Sequence, residues 1–125
     1  MNAEARHIEV ANRFGRNLEH AAMTGDWTGV YPHLASDVEW ITPKRTLHGI
    51  DEVEHDLTWG SPPDHLDVAF QIGPWRDLGE NRAMVDVHEI YRLRGTGELA
   101  YERDRRIRVT ISDGKVMRYE MEVVG

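Results

Sequence analysis

Over its second half the chain keeps a hydrophobic period of two, and that period dictates a sheet with one greasy face. Leu66, Val68, Phe70 and Ile72 alternate with Asp67, Ala69, Gln71 and Gly73. The same alternation predicts two long strands near Ala83–Leu93 and Leu99–Ile111, and a last strand over Val116–Val124. Successive side chains of a strand point to opposite sides, so these segments must hide one face from water. The first half of the chain supplies the cover. Ile8, Ala11, Phe14 or Gly15, Leu18 and Ala22 recur at three- and four-residue spacing among charged residues, which predicts a helix over Ala3–Met23. Thr24-Gly25 ends it. Asp26 is then expected to cap a short second helix burying Trp27, Val30 and Leu34, kinked or shortened by Pro32. Val38–Thr42 reads as a short strand and Pro43–Gly49 as a loop. A third helix carries Ile50, Val53 and Leu57 and ends near Trp59-Gly60, where Pro62-Pro63 prevents its continuation. Helices followed by an antiparallel sheet define an α+β fold. With no linker, repeat or low-complexity tract, the 125 residues form one domain.

Composition removes several classes of function. There is no cysteine, which excludes a thiolate nucleophile and Cys-based zinc or iron–sulfur sites. The net charge of −7 opposes binding to nucleic acid or an anionic membrane surface. The run Arg103-Asp104-Arg105-Arg106-Ile107-Arg108 looks basic, but it alternates between two faces and is interleaved with an acid. The first residues lack a signal-peptide core, and no apolar stretch approaches the roughly 18 residues of a membrane span, so a soluble, cytoplasmic protein is expected. The histidines outside the strands form no metal-ligand spacing. Asp51 and His55, four apart, read as a helix-surface pair. No dinucleotide fingerprint, phosphate loop or nucleophile elbow is present, so neither metal nor cofactor is expected.

The greasy face also sets the strand registers. Around Gly95-Thr96-Gly97, a three-residue turn places Leu93 opposite Leu99, Tyr91 opposite Tyr101, Glu89 opposite Arg103, Val85 opposite Ile107 and Ala83 opposite Val109. The reverse face then pairs Asp86 with Arg106 and His88 with Asp104, both favourable. For the last hairpin, a two-residue Asp113-Gly114 turn mixes charged and apolar groups on both faces. A three-residue turn is therefore expected, with Ile107 facing Tyr119, Val109 facing Met117 and Arg105 facing Met121. Both registers leave Glu89, Arg103 and Arg105 on the apolar face. Charges are seldom buried unless paired, so these three mark either a cavity or a salt bridge at the rim.

The sequence marks Gly25-Asp26-Trp27, Leu34-Ala35-Ser36-Asp37-Val38-Glu39-Trp40, Pro43, Gly49 and Asp113-Gly114-Lys115-Val116, in that order and spacing, resemble the SnoaL-like branch of the NTF2-like superfamily. The resemblance spans most of the chain. It implies a cone in which a curved antiparallel sheet is wrapped by three helices around an interior pocket, commonly as a homodimer. Ketosteroid isomerases, limonene epoxide hydrolases, scytalone dehydratases, polyketide cyclases and non-catalytic proteins share that branch. Carried over position by position, the isomerase base falls on Thr42, its oxyanion-hole tyrosine on Leu18 and its oxyanion-hole acid on Ile107 or Arg106. No proton-abstracting carboxylate remains there. The epoxide hydrolase acid of the last strand falls on Met121, and its Arg-x-Asp falls near Val87-x-Glu89, so one acid survives at most. Trp40, Thr42 and Tyr119 match pocket positions of that enzyme.

The resulting candidates are Glu89 as general acid or base and Arg103 as a stabiliser of a developing oxyanion. Asp86 and His88 are the runners-up, should the third strand slip by one residue. Trp40, Thr42, Tyr91, Tyr101, Arg105, Tyr119 and Met121 are expected to line a pocket for a small hydrophobic or aromatic molecule. The reading is a small-molecule pocket protein doing cofactor-free acid–base chemistry (isomerase, cyclase, dehydratase or hydrolase). The alternative is a non-catalytic ligand-binding dimer.

Overall fold

The computed structural model describes residues 3–58 and 64–124. Its first element is the helix α1, Ala3–Thr24, whose face of Ala11, Phe14, Leu18 and Ala21 is buried. Gly15 lies on that face because the helix approaches Trp75 too closely for a side chain. A Cβ there would sit 2.8 Å from the Trp75 indole nitrogen and 3.1 Å from Ile72 Cδ1. This contact explains a residue that costs an ordinary helix about 1 kcal/mol relative to alanine.

The expected second helix is absent, and among the described residues there are two α-helices rather than three. Asp26 does accept hydrogen bonds from the Thr28 amide and hydroxyl, at 3.1 and 2.6 Å, but the chain only turns there. It closes into one 3-10 turn over Tyr31–His33, and Leu34 is already the first residue of strand β1, Leu34–Ile41. Gly29 and Pro32 deprive the segment of helix formers. The expected loop after β1 contains strand β2, Thr46–His48, which pairs back on β1. Helix α2, Ile50–Thr58, follows with Val53 fully buried. The helix end expected at Trp59-Gly60 and the Pro62-Pro63 stop lie outside the described residues.

The remaining strands are β3, Leu66–Ile72; β4, Arg76–Gly79; β5, Arg82–Leu93; β6, Leu99–Ser112; and β7, Lys115–Val124. They form one curved, unclosed sheet in the order β2-β1-β7-β6-β5-β3, with β4 pairing the other end of β5. The sheet is not wholly antiparallel, because β1 runs parallel to β7 and sets Trp40 beside Tyr119. Helix α1 packs across β3, β4, β5 and β6, and α2 packs on β1 and β2.

The β5–β6 register is the expected one from Ala83–Val109 through Val85–Ile107 and Glu89–Arg103 to Tyr91–Tyr101. It shifts at the turn, so Leu99 pairs Arg92 instead of Leu93. The β6–β7 register differs from expectation. Ser112 pairs Lys115 directly, so the turn is the two-residue Asp113-Gly114 form, with φ of 50° and 75°. A bulge then leaves Met117 unpaired between Ile111–Val116 and Thr110–Arg118. The extra residue restores parity, and the inner row becomes Val85–Ile107–Met121, with Tyr119 opposite Val109. Met117, expected inside, is exposed, and Val116 is buried in its place.

This register makes a stability test. Ile107→Ala should cost about 2–5 kcal/mol, whereas Met117→Lys should stay within about 0.5 kcal/mol of wild type. Urea melts of the two variants in the opposite order would return Met117 to the core.

Candidate active site on the inner face of the sheet

The alternation that builds the core carries Glu89 inward. Its neighbours on the same face of β5 are Val87 and Tyr91, and its partner on β3 is Phe70. Glu89 is 4% exposed, the one charged residue among the buried side chains described. Such a group must be compensated, and here β6 does so. Arg103 Nε lies 3.3 Å from Glu89 Oε1, and Arg105 Nε contacts the same oxygen. Tyr91 donates its hydroxyl to Glu89 Oε2 at 2.6 Å, and Arg103 Nη2 donates to the Tyr91 oxygen at 2.8 Å. Arg105 Nη1 reaches the Met121 sulfur at 3.5 Å. The two Nε contacts to Oε1 are charge contacts without hydrogen-bond alignment, so that carboxylate oxygen keeps unsatisfied lone pairs.

Aromatic rings frame this cluster. Tyr91 and Tyr101 stack with centroids 4.3 Å apart, and the Arg103 guanidinium lies 5.2 and 5.9 Å from their centroids. Trp40 stacks on Tyr119 at 3.7 Å, and Phe14 meets the Tyr119 ring edge-on. Burial, reinforced by the hydrogen bond to Glu89, pushes the Tyr91 hydroxyl up to about 12 against the opposing pull of Arg103. Burial also raises Tyr119, partly offset by Arg105. Both tyrosines therefore remain neutral hydroxyls at physiological pH. At Arg103, burial works against the charge, but the Tyr91 hydroxyl and Glu89 outweigh it and hold the guanidinium above its ordinary range.

The structure thus brings Glu89, Arg103, Arg105, Tyr91, Tyr101 and Met121 together at one end of the inner face. Trp40 and Tyr119 lie further in, within the core. Thr42 is occupied by its own turn, its hydroxyl 3.3 Å from the Arg45 carbonyl oxygen. Asp86 and His88 lie on the opposite, outer face. Asp86 is held by Arg76 and Arg106, each at 3.0 Å, and His88 by Asp104 at 2.7 Å. Phe70 and Val123 complete the inner surface around the cluster, Phe70 opposite Glu89 and Val123 opposite Arg105. Their strand positions gave them only a core reading in the sequence. Among the described residues no cluster of histidines and acids has metal-binding geometry, and no helix is long and apolar enough to cross a membrane.

This arrangement of helices on a curved sheet is shared widely. An NTF2-like protein from Anabaena variabilis ATCC 29413 superposes with a TM-score of 0.82, covering 100% of this chain and 94% of its own, at 13% identity. The fold is NTF2-like. An LEH-like epoxide hydrolase of M. tuberculosis matches over 98% of this chain and 86% of its own, with TM-score 0.70 and 11% identity. TerC, co-crystallised with polyporic acid, matches over 95% and 92%, with TM-score 0.70 and 20% identity. No family model and no curated protein sequence matches the chain. At these identities the likeness establishes the fold, which is shared by solved structures described as isomerases, a polyketide cyclase and an LEH-like epoxide hydrolase.

Two outcomes follow from the geometry. Glu89→Ala strands two guanidiniums in a poorly solvated site and should cost about 3–5 kcal/mol; a loss under about 1 kcal/mol in urea melts would mean a solvated rim pair instead. On the outer face, the hydrogen bond His88 donates to Asp104, aided by the charges of Asp104 and Glu102, raises His88 above its ordinary 6.5. A raised histidine stabilises the fold fully below the unfolded value and loses that contribution as pH rises through the folded one. NMR titration should place the His88 midpoint above 6.5, and a midpoint at or below that value would contradict the pairing.

Proposed function

We propose that this protein binds a small, largely apolar organic molecule on the inner face of its sheet and performs cofactor-free proton transfer on it. Glu89 is the proposed proton-transfer group, with Arg103 holding the oxyanion that develops. The observation that carries this reading is a buried carboxylate on an otherwise apolar face, one of whose oxygens has no aligned hydrogen-bond donor. That oxygen is held only by unaligned charge contacts with the two guanidiniums, so it can take a proton from a bound substrate that displaces one of them. Tyr91, neutral and already donating to the other oxygen, fixes the carboxylate's orientation. Arg103 and Arg105 offer guanidinium edges where an enolate or alkoxide would form. The isomerase, cyclase and epoxide hydrolase neighbours lend support to small-molecule chemistry on this fold.

A second reading, ligand binding without turnover, is favoured by the engagement of Glu89 with two arginines and a tyrosine, a set that would anchor a carboxylate as well as activate it. Hydrogen–deuterium exchange at the α-carbons of a panel of cyclic ketones separates the two. Proton transfer predicts exchange above the buffer rate for some ketone, falling by about 10²–10⁴-fold in Glu89→Gln. Binding of panel ketones with no accelerated exchange would establish the second reading.

With this reading goes a homodimer joined through the outer face. There the paired charges flank a groove of about 480 Å³ lined by Gln71, Gly73, Asp86, His88, Arg106 and Val124. Light scattering should show a dimer at micromolar concentration, and a monomer at that and higher concentrations would overturn it.

A further inference from the structure

Resting on the proposed use of the inner face as a small-molecule site, we infer that the ligand is an organic monoanion with a flat apolar body. Its charged end would be taken by Arg103 and Arg105. The first support is a charge imbalance. Among the other described ion pairs, Arg13, Arg45 and Arg94 each have a carboxylate, Arg118 has two, and two arginines share one carboxylate at Asp86, where Arg76 and Arg106 meet on the exposed outer face and solvent screens the surplus. At the inner-face cluster two guanidiniums share the single carboxylate of Glu89. One positive charge is left over, on a protein whose net charge is −7. A surplus charge in a half-buried, apolar setting is costly until an anion joins it.

Donor capacity gives the second support. A guanidinium has five N–H donors. Arg103 donates Nη2 to Tyr91, while its Nε touches Glu89 without an aligned hydrogen bond. Arg105 Nε likewise touches Glu89 without one, and its Nη1 meets only the Met121 sulfur, a weak acceptor. The remaining Nη groups have no acceptor among the described residues. They are suited to the paired oxygens of a carboxylate or the single oxygen of an ionised enol or phenol.

The third support is shape. Beside the cluster, Tyr101 is 44% exposed and stacks on Tyr91, while Val123, opposite Arg105, is 54% exposed. The exposed ring lies on one side of the two guanidiniums along β6 and the exposed Val123 on the other, which offers apolar surface to the body of a ligand whose charge they hold, and Arg103 stands over the Tyr101 ring. A ligand anion would also compete with Glu89 for Arg103, the more exposed of the two arginines, so binding would uncover the carboxylate proposed to act on it.

Isothermal titration tests the inference with three probe pairs: benzoate and benzamide, 2-naphthoate and 2-naphthamide, biphenyl-4-carboxylate and its amide. At least one carboxylate should bind about tenfold or more tightly than its neutral amide, a difference of about 1.4 kcal/mol. The preference should shrink as salt rises from about 20 to 300 mM, and Arg103→Gln should abolish most of it. The salt series uses the unaltered protein and decides the matter even if the variant fails to fold. Equal or tighter binding of the amides, or an Arg103→Gln protein that folds and keeps the preference, would overturn the anion inference while leaving the small-molecule site in place. Failure of all six probes to bind at millimolar concentration would overturn both.

Discussion

The antiparallel pairing of β5 with β6, unbroken from Arg82–Thr110 to Tyr91–Tyr101, decides which side chains meet α1 and which meet water. Ala83, Val85 and Val87 on one strand and Ile107, Val109 and Ile111 on the other are all buried by that parity. So is Glu89. A slip of one residue would send the whole set outward and bring His88 and Asp86 in. The charged cluster is therefore locked to the same register as the hydrophobic core, and it cannot be displaced without dismantling the packing around Phe14 and Ile107.

Along the inner face the chemistry is graded. The part under α1 is aliphatic, with Ala83, Val85, Val109 and Ile111 at 2% exposure or less. Beside Val109, in the same cross-strand row, Tyr119 carries the aromatic contacts with Phe14 and Trp40. The far end is ionic and partly open, with Glu89 under Arg103 and Arg105 and with Tyr101 and Val123 exposed. On the outer face His88 meets Asp104, and Arg76 and Arg106 share Asp86, at positions where solvent screens them. The same two strands thus carry a solvated charge ladder on one side and a buried carboxylate under two guanidiniums on the other. That difference in burial is what supports the proposal of the inner end as a binding site.

Much of this could be read from the residues because the decisive signals were local. Period-two alternation located β3, β5, β6 and β7, and the complementary charges of Asp86–Arg106 and His88–Asp104 confirmed one register out of two. The pairing of Glu89 with Arg103 followed, whereas the second arginine at Glu89 did not, since Arg105 lies opposite Val87 and reaches Glu89 diagonally. What escaped was non-local or irregular. Strand β4 is four residues, Arg76-Asp77-Leu78-Gly79, with no alternation to announce it. The parallel contact of β1 with β7 joins segments far apart in sequence, and no local pattern encodes it. The alternation predicts a three-residue turn, whereas a two-residue turn followed by the bulge at Met117 sets the register, so Met117 and Val116 exchange places. Trp27 and Val30 have the apolarity of a helix but sit in a turn, Val30 buried and Trp27 partly so, the Trp27 indole nitrogen without a hydrogen-bond partner among the described residues.

If the ionic end of the face exists for a ligand and not for the fold, removing all of it at once should be harmless to stability. Replacing a buried ion cluster by apolar residues of similar volume is often neutral or stabilising by about 1–4 kcal/mol. The triple variant Glu89→Leu, Arg103→Met, Arg105→Met is therefore predicted to unfold in urea at or above the wild-type midpoint, with an unchanged slope. A triple variant that unfolds at a markedly lower midpoint, or never folds, would show that the cluster holds the sheet together, and would contradict the account.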